Sequence, residues 1–180
     1  MRDEIFIAGA GGQGILSLGK TLAEAVAEKN LQVTFYPSYG AEIRGGTTNC
    51  TVIISDEAIG SPTVSNVRSM LVMNTQSYNK FIPRLNPGGL LVINSSLVDV
   101  SAKPVKAKTA SYAIPATDIA QELGDIRCAN MVMLGAYEGI KKLISVEYMA
   151  KAIESTFKKP ELVKLNIEAF KKGIEGVKPL

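Results

Sequence analysis

Histidine is absent from the 180-residue chain. Its absence removes the commonest general base and the commonest metal ligand. Cysteine is scarce: Cys50 and Cys128 lie far apart and outside any CxxC pair. The chain by itself is therefore not expected to hold an iron–sulfur cluster or a zinc ion. No secretory signal or membrane-spanning apolar run is read, so the expectation is a cytoplasmic location with two free thiols in a reducing compartment. Strong charge of one sign is also missing. The formal net charge is +3, and basic residues cluster no further than Lys141-Lys142, Lys158-Lys159 and Lys171-Lys172. Each pair falls in a helical pattern and reads as a solvated face, so nothing here argues for nucleic acid. Repeats and low-complexity stretches are lacking as well.

What is present is an ordinary globular composition, 46% hydrophobic and 21% charged. The length suits one domain over residues 1–180 with a real core. EIFIAG, residues 4–9, reads as a buried strand. Ile15 to Asn30 reads as a helix, because Ile15, Leu18, Leu22, Ala25 and Val26 recur at three and four. LQVTFYP is a second strand, completing strand, loop, helix and strand within about forty residues. CTVIIS, MLVMN and residues 87–96 add strands, and SYNKFIPRL adds a short helix. A further helix is expected after Thr117, with Thr117 as its cap. From Asn130 the pattern turns helical three times, with Ser145 as an N-cap and Pro160 in a first turn. Met70, Met73, Met131, Met133 and Met149 fall in apolar elements and read as core, as does Cys50. This alternation predicts a three-layer α/β fold: a Rossmann-like, mostly parallel sheet flanked by helices, with a helical C-terminal end.

Between the first strand and the first helix stands AGAGGQGILS. Gly9, Gly11 and Gly14 match G-x-G-x-x-G. In that pattern one glycine permits the tight turn, the next lets backbone approach a phosphate, and the third lets helix pack on strand. The free N–H groups of a helix start favour an anion. An ordinary dinucleotide site also needs an acidic residue about twenty residues on, at the end of the second strand. Here that strand ends FYPS. Gly12 and Gln13 add a flexible point and an amide that both donates and accepts. A phosphate-bearing ligand, a tight turn serving only its own helix, and a protein contact all stay open for this loop.

The most unusual stretch is SYGAEIRGGTTNCTV. Residues 38–49 are polar and glycine-rich with little helix or strand signal, and they read as a long loop. Glu42 and Arg44 read as a local ion pair on a surface loop or as groups held against something else. Gly45-Gly46 allows close backbone approach, and Thr47, Thr48 and Asn49 offer small polar groups. Tyr36, Tyr39 and Tyr78 border the same face, and Tyr39 is a candidate interface anchor. Asn74, Thr75 and Asn94-Ser95-Ser96 end predicted strands, where ligands of open α/β sheets sit. Asn130 reads as a helix cap.

Taken together, GAGGQG and YPSYGAEIRGGTTNCTVIISDEAIGSP resemble the gamma subunit of the 2-oxoacid:ferredoxin (acceptor) oxidoreductases, most like the 2-oxoglutarate branch. The resemblance covers essentially the whole chain. It implies a subunit, not catalytic alone, of a complex that oxidatively decarboxylates a 2-oxoacid with coenzyme A to acyl-CoA, CO2 and reduced ferredoxin. It implies that thiamine diphosphate, Mg2+ and iron–sulfur clusters belong mainly to other subunits. It implies alpha, beta and delta subunits as partners and ferredoxin as acceptor. An isolated copy is expected to pair with itself. Carried onto this sequence, the resemblance implies that Gly9, Gly11, Gly12, Gln13 and Gly14 form a loop that faces either the coenzyme A phosphates or a neighbouring subunit, with Arg44 on the same contact. Tyr39, Glu42, Gly45, Gly46, Thr47 and Asn49 face neighbouring subunits. Arg44 suits a bidentate phosphate contact or a buried pair with Glu42 that fixes register. The rival readings are a stand-alone nucleotide-binding oxidoreductase domain and a purely structural assembly module.

Overall fold

The structure is a computed structural model and describes residues 1–38, 46–101, 103–105 and 108–180. Its frame is a seven-stranded sheet. The strands are β1 (Arg2–Ala10), β2 (Gln32–Ser38), β3 (Thr47–Ser55), β4 (Val67–Val72), β5 (Leu85–Asn94), β6 (Ala110–Ile114) and β7 (Lys178–Pro179). They lie in the order β2-β3-β1-β4-β5-β6-β7. β1, β4, β5 and β6 are parallel neighbours, whereas β3 runs antiparallel to both β1 and β2. The helices are α1 (Ile15–Ala27), α2 (Thr75–Phe81), α3 (Ala116–Glu122), α4 (Ala129–Lys141), α5 (Val146–Thr156) and α6 (Pro160–Gly176). Among the described residues no helix is long and apolar enough to cross a membrane.

The central strands are buried on both faces, and their side chains sort by period two. Ile5, Ile7, Val52, Ile54, Leu71 and Val92 join the larger core under α1 and α3 to α6. Phe6, Ala8, Met70, Val72, Leu91 and Ile93 join a smaller one with Tyr78 of α2. The three layers are thus unequal. The five methionines named above are buried, and so is Cys50. Tyr78 belongs to this core rather than to a site face; it is fully buried and its hydroxyl donates to the Lys103 carbonyl at 2.6 Å.

Close approach of backbones sets two helix positions. At Gly19 a Cβ would lie 2.9 Å from the Phe35 ring, so α1 rests directly on β2 and β3. At the α4–α6 crossing a Cβ on Gly135 would overlap the Phe170 carbonyl, and one on Gly173 would lie 2.8 Å from the Ala136 nitrogen. Beyond that crossing, Glu138 is buried at 3% exposure. Its Oε2 accepts the Leu143 and Ile144 N–H groups at 2.9 and 2.8 Å, while Oε1 has no partner. Burial pushes this carboxyl up to about 7 against the opposing pull of those two N–H groups, Lys29 and Lys141.

Several boundaries differ from expectation. Thr47, Thr48 and Asn49 are strand, not loop, because they pair with Ala10, Gly9 and Ala8, and threonine suits a pleated strand. Thr117 does not cap α3; the helix starts at Ala116 behind Pro115, with no side-chain cap from Pro115 itself. Asn130 lies inside α4, whose N-cap is Cys128. Ser145 does cap α5, and Pro160 does open α6. The two-residue β7 is too short to carry a strand pattern in the sequence.

Candidate functional site

The antiparallel β3 makes the site. It occupies the slot beside β1 where a Rossmann fold would place its second strand. β2 is displaced to about 10 Å from β1, two strand spacings away. The missing ribose acid at the end of β2 follows naturally, since that end is remote from the glycine loop. The start of β3 instead meets the end of β1, with Thr47 opposite Ala10 and Thr48 opposite Gly9. Two segments that are separate in sequence therefore converge.

Within the loop the glycines divide by task. A Cβ at Gly9 would lie 2.6 Å from Ile15 Cδ1, 2.7 Å from Gln13 Oε1 and 2.9 Å from Met73 Cβ. Gly12 and Gly14 have φ of 89° and 70°, which strains any side-chain-bearing residue. A Cβ at Gly14 would also strike the Asn130 amide, 2.9 Å from its Cγ. Gly11 is different. Its φ is ordinary, and the nearest atom to a Cβ there is Thr48 Oγ1 at 3.9 Å. Nothing within the described chain requires glycine at position 11.

Side-chain amides pin the loop. Gln13 Oε1 accepts from the Ala10 N–H at 2.7 Å and from Asn74 Nδ2 at 3.2 Å, so this oxygen is turned inward. Asn74 Oδ1 caps α2 by accepting from Ser77 N at 2.8 Å. Fully buried Asn94 donates to the Met73 carbonyl at 3.3 Å and to Thr117 Oγ1 at 2.8 Å, and accepts from Thr117 N. Ser96 Oγ accepts from Asp118 N, so these β5-end residues serve the first turn of α3. Thr75 Oγ1 donates to the Leu97 carbonyl and accepts from Asp99 N. Asn130, buried in α4, donates from Nδ2 to the Gly14 carbonyl at 3.1 Å. On the β3 side Lys80 donates from Nζ to Thr47 Oγ1 at 3.1 Å.

This assembly lies where the chain reverses its winding. α1 leaves β1 on one face of the sheet and α2 leaves β4 on the other, so the β1–β4 carboxyl ends form the crevice where open α/β sheets bind ligands. A cleft of about 140 Å³ opens there, lined by Gly12, Gln13, Met73, Leu97, Thr117, Ile126, Arg127 and Ala129. It is small against the roughly 300–1,000 Å³ of a ligand pocket. Its rim carries exposed apolar side chains, Leu97 at 44% and Ile126 at 58%. Arg127 at the mouth holds the Asp125 carboxyl down to about 2 through paired hydrogen bonds.

Of the predicted site residues, Gly9, Gly11, Gly12, Gln13, Gly14, Thr47 and Asn49 come together at this end of β1. Gly46 directly precedes β3. Tyr39, Glu42, Arg44 and Gly45 lie outside the described residues. Tyr36 is exposed on edge strand β2. Sequence reasoning missed Lys80, Leu97, Thr117, Ile126 and Arg127 as neighbours of the loop. It also missed Asn130 as the loop's anchor, although a polar amide in the apolar run CANMVM was the available signal, because a buried amide needs a partner. Burial pushes the Cys50 and Cys128 thiols up to about 12 and about 11, so neither is a nucleophile near neutral pH. Among the described residues no group of three or more acidic, Cys or His side chains is placed to hold a metal.

Residues 4–176 match the protein family described as pyruvate ferredoxin/flavodoxin oxidoreductase. The 2-oxoglutarate synthase subunit KorC of Methanocaldococcus jannaschii is 38% identical over 184 residues, covering 100% of this chain and 96% of KorC. The ketoisovalerate oxidoreductase subunit VorA of Methanothermobacter thermautotrophicus is 36% identical over 94% of this chain but 35% of its own length. The chain thus spans about a third of the VorA relatives it matches. The keto/oxoacid ferredoxin oxidoreductase gamma subunit of Geobacter sulfurreducens superposes with a TM-score of 0.85 at 31% identity, over 98% of this chain and 96% of that one. The 2-oxoglutarate:ferredoxin oxidoreductase of Magnetococcus marinus, solved with 2-oxoglutarate, coenzyme A and succinyl-CoA bound, gives a TM-score of 0.87 at 29% identity, over 96% of this chain and 30% of that one.

Proposed function

The chain belongs to the pyruvate ferredoxin/flavodoxin oxidoreductase family, and on that premise we propose that it is the gamma subunit of a 2-oxoglutarate:ferredoxin oxidoreductase. The complex converts 2-oxoglutarate and coenzyme A to the acyl-CoA and CO2, and ferredoxin takes up the electrons. The end-to-end match with KorC supports the 2-oxoglutarate branch.

The observation that carries a partner-dependent role is the crevice itself. It holds an open glycine loop but only about 140 Å³ of cleft, with apolar side chains left exposed on its rim. Such a site needs a second surface to enclose a ligand. In this reading the alpha, beta and delta subunits supply that surface and carry the thiamine diphosphate, Mg2+ and iron–sulfur clusters. The scarcity of cysteine and the absence of histidine in the sequence support that division. The chain contributes backbone and position: Gly11 and Gly12 lie against the coenzyme A side, and Thr47 and Asn49 lie beside the neighbouring subunit.

The test is the complex isolated from its own cells without oxygen and assayed for dye reduction dependent on 2-oxoacid and coenzyme A. Turnover on 2-oxoglutarate above pyruvate and ketoisovalerate is expected; preference for either of the others overturns the branch. Gly11→Ala adds a residue-level reading. It is expected to leave the unfolding temperature unchanged, because the added methyl meets only Thr48 Oγ1 at 3.9 Å, while raising the KM for coenzyme A. An unchanged KM removes Gly11 from the coenzyme A site.

A further inference from the structure

A second feature lies away from the glycine loop, between α5 and α6. An open groove of about 680 Å³ runs there. Its floor is Phe157, Val163 and Ile167, half-buried against the main core but not covered. Its rim carries exposed Lys158, Lys164 and Lys171, together with Glu154 and Glu168. None of the three lysines is held in an ion pair among the described residues. Val163, Lys164, Ile167 and Lys171 recur at helical spacing, so α6 has a second amphipathic edge beside the face of Asn166, Ala169, Phe170 and Gly173 that it buries. Residues 151–172 hold six lysines against three glutamates, which equals the formal excess of the whole chain. The rest of the molecule is balanced, and among the residues that line the groove three lysines stand against two glutamates.

We propose that this groove docks an acidic amphipathic helix of a neighbouring subunit. That helix would lay apolar side chains on Phe157, Val163 and Ile167, with carboxylates reaching Lys158, Lys164 and Lys171. The fit is that of a helix in a groove, with charge complementarity setting orientation and partner choice. A second copy of this chain would bring one net-positive rim against another, which favours a different, acidic chain as the occupant. The inference rests on the subunit reading above. A fold that forms about a third of longer relatives is one that lies against further protein.

Lysine acetylation with a pulsed amine reagent, read by mass spectrometry, tests this on the complex and on the isolated chain. Lys158, Lys164 and Lys171 are expected to react about tenfold more slowly in the complex. A zero-length carbodiimide is expected to join them to Asp or Glu residues of one helix in a co-purifying subunit. Lys164→Glu with Lys171→Glu is expected to keep the isolated chain's unfolding temperature and to lower recovery of that subunit about tenfold. Equal labelling in an assembled complex overturns the docking site and leaves the subunit reading standing. So does protection that nuclease treatment removes, or cross-links to another copy of this chain. Recovery of the bare chain alone removes both.

Discussion

Replacing Glu138 with glutamine should make the protein more stable at neutral and alkaline pH, and by an amount the structure sets. The carboxyl is pushed from 4.5 up to about 7 by burial beneath the α4–α5 turn. A group whose folded value exceeds its unfolded one binds its proton more tightly when folded. Its contribution is therefore fully present below about pH 4.5 and is lost as pH climbs to about 7. At about 1.4 kcal/mol per unit, the loss across that window is about 3 kcal/mol. Glutamine stays neutral at every pH and keeps an oxygen for the Leu143 and Ile144 N–H groups. Urea unfolding followed by circular dichroism at pH 5, 6, 7 and 8 gives the comparison. The variant is expected to gain on the natural chain steadily across this series, approaching about 3 kcal/mol at pH 8. In thermal scans that is roughly 6–12 °C. A difference that is flat with pH, or one that grows toward pH 5, would refute the claim that burial dominates over the pull of Lys29 and Lys141.

Two further predictions concern packing and thiols. Gly135→Ala and Gly173→Ala should each cost about 3 kcal/mol or more, because the new methyl meets backbone of the opposing helix rather than a movable side chain. The gain in helix propensity, about 1 kcal/mol, is too small to offset this. Gly60→Ala, which points into open space, is the control; equal unfolding temperatures for all three would remove the close crossing of α4 and α6. Cys50 and Cys128, held up to about 12 and about 11, should resist iodoacetamide at pH 8 in the folded chain and react readily in guanidinium. Rapid alkylation of Cys50 in native buffer would contradict its burial.

Much of this was legible from residues that obey local rules. Ile15, Leu18, Leu22, Ala25 and Val26 announce α1 by spacing, and each is buried where that spacing puts it. Ser145 and Pro160 mark helix starts through backbone chemistry that needs no tertiary context. The glycine loop was readable as a tight strand-to-helix turn for the same reason. What was not readable depends on partners distant in sequence. Thr117 looks like a cap until Asn94 takes its hydroxyl. Asn130 looks like a cap until the Gly14 carbonyl meets its amide. The polar run ending Thr47-Thr48-Asn49 has no strand periodicity of its own and becomes strand because β1 offers it a register. Gln13 looks like an amide free for a partner until its oxygen meets Ala10 N–H and Asn74 Nδ2.

The placement of β3 also bears on how the chain assembles in time. β1 precedes every other strand in the order of the chain, yet its neighbours are β3 on one side and β4 on the other. Arg2 pairs with Ser55, and Ile5 pairs with Ser69. Every ladder bond of β1 therefore closes a long loop, with the entropy cost that distant pairing carries. β2 and β3, by contrast, are consecutive and antiparallel, so they can pair as soon as Ser55 is made. An interior strand is thus made before both of the strands that flank it. β1 keeps one edge of N–H and C=O groups unpaired until the segment that carries Thr47 and Thr48 arrives beside it.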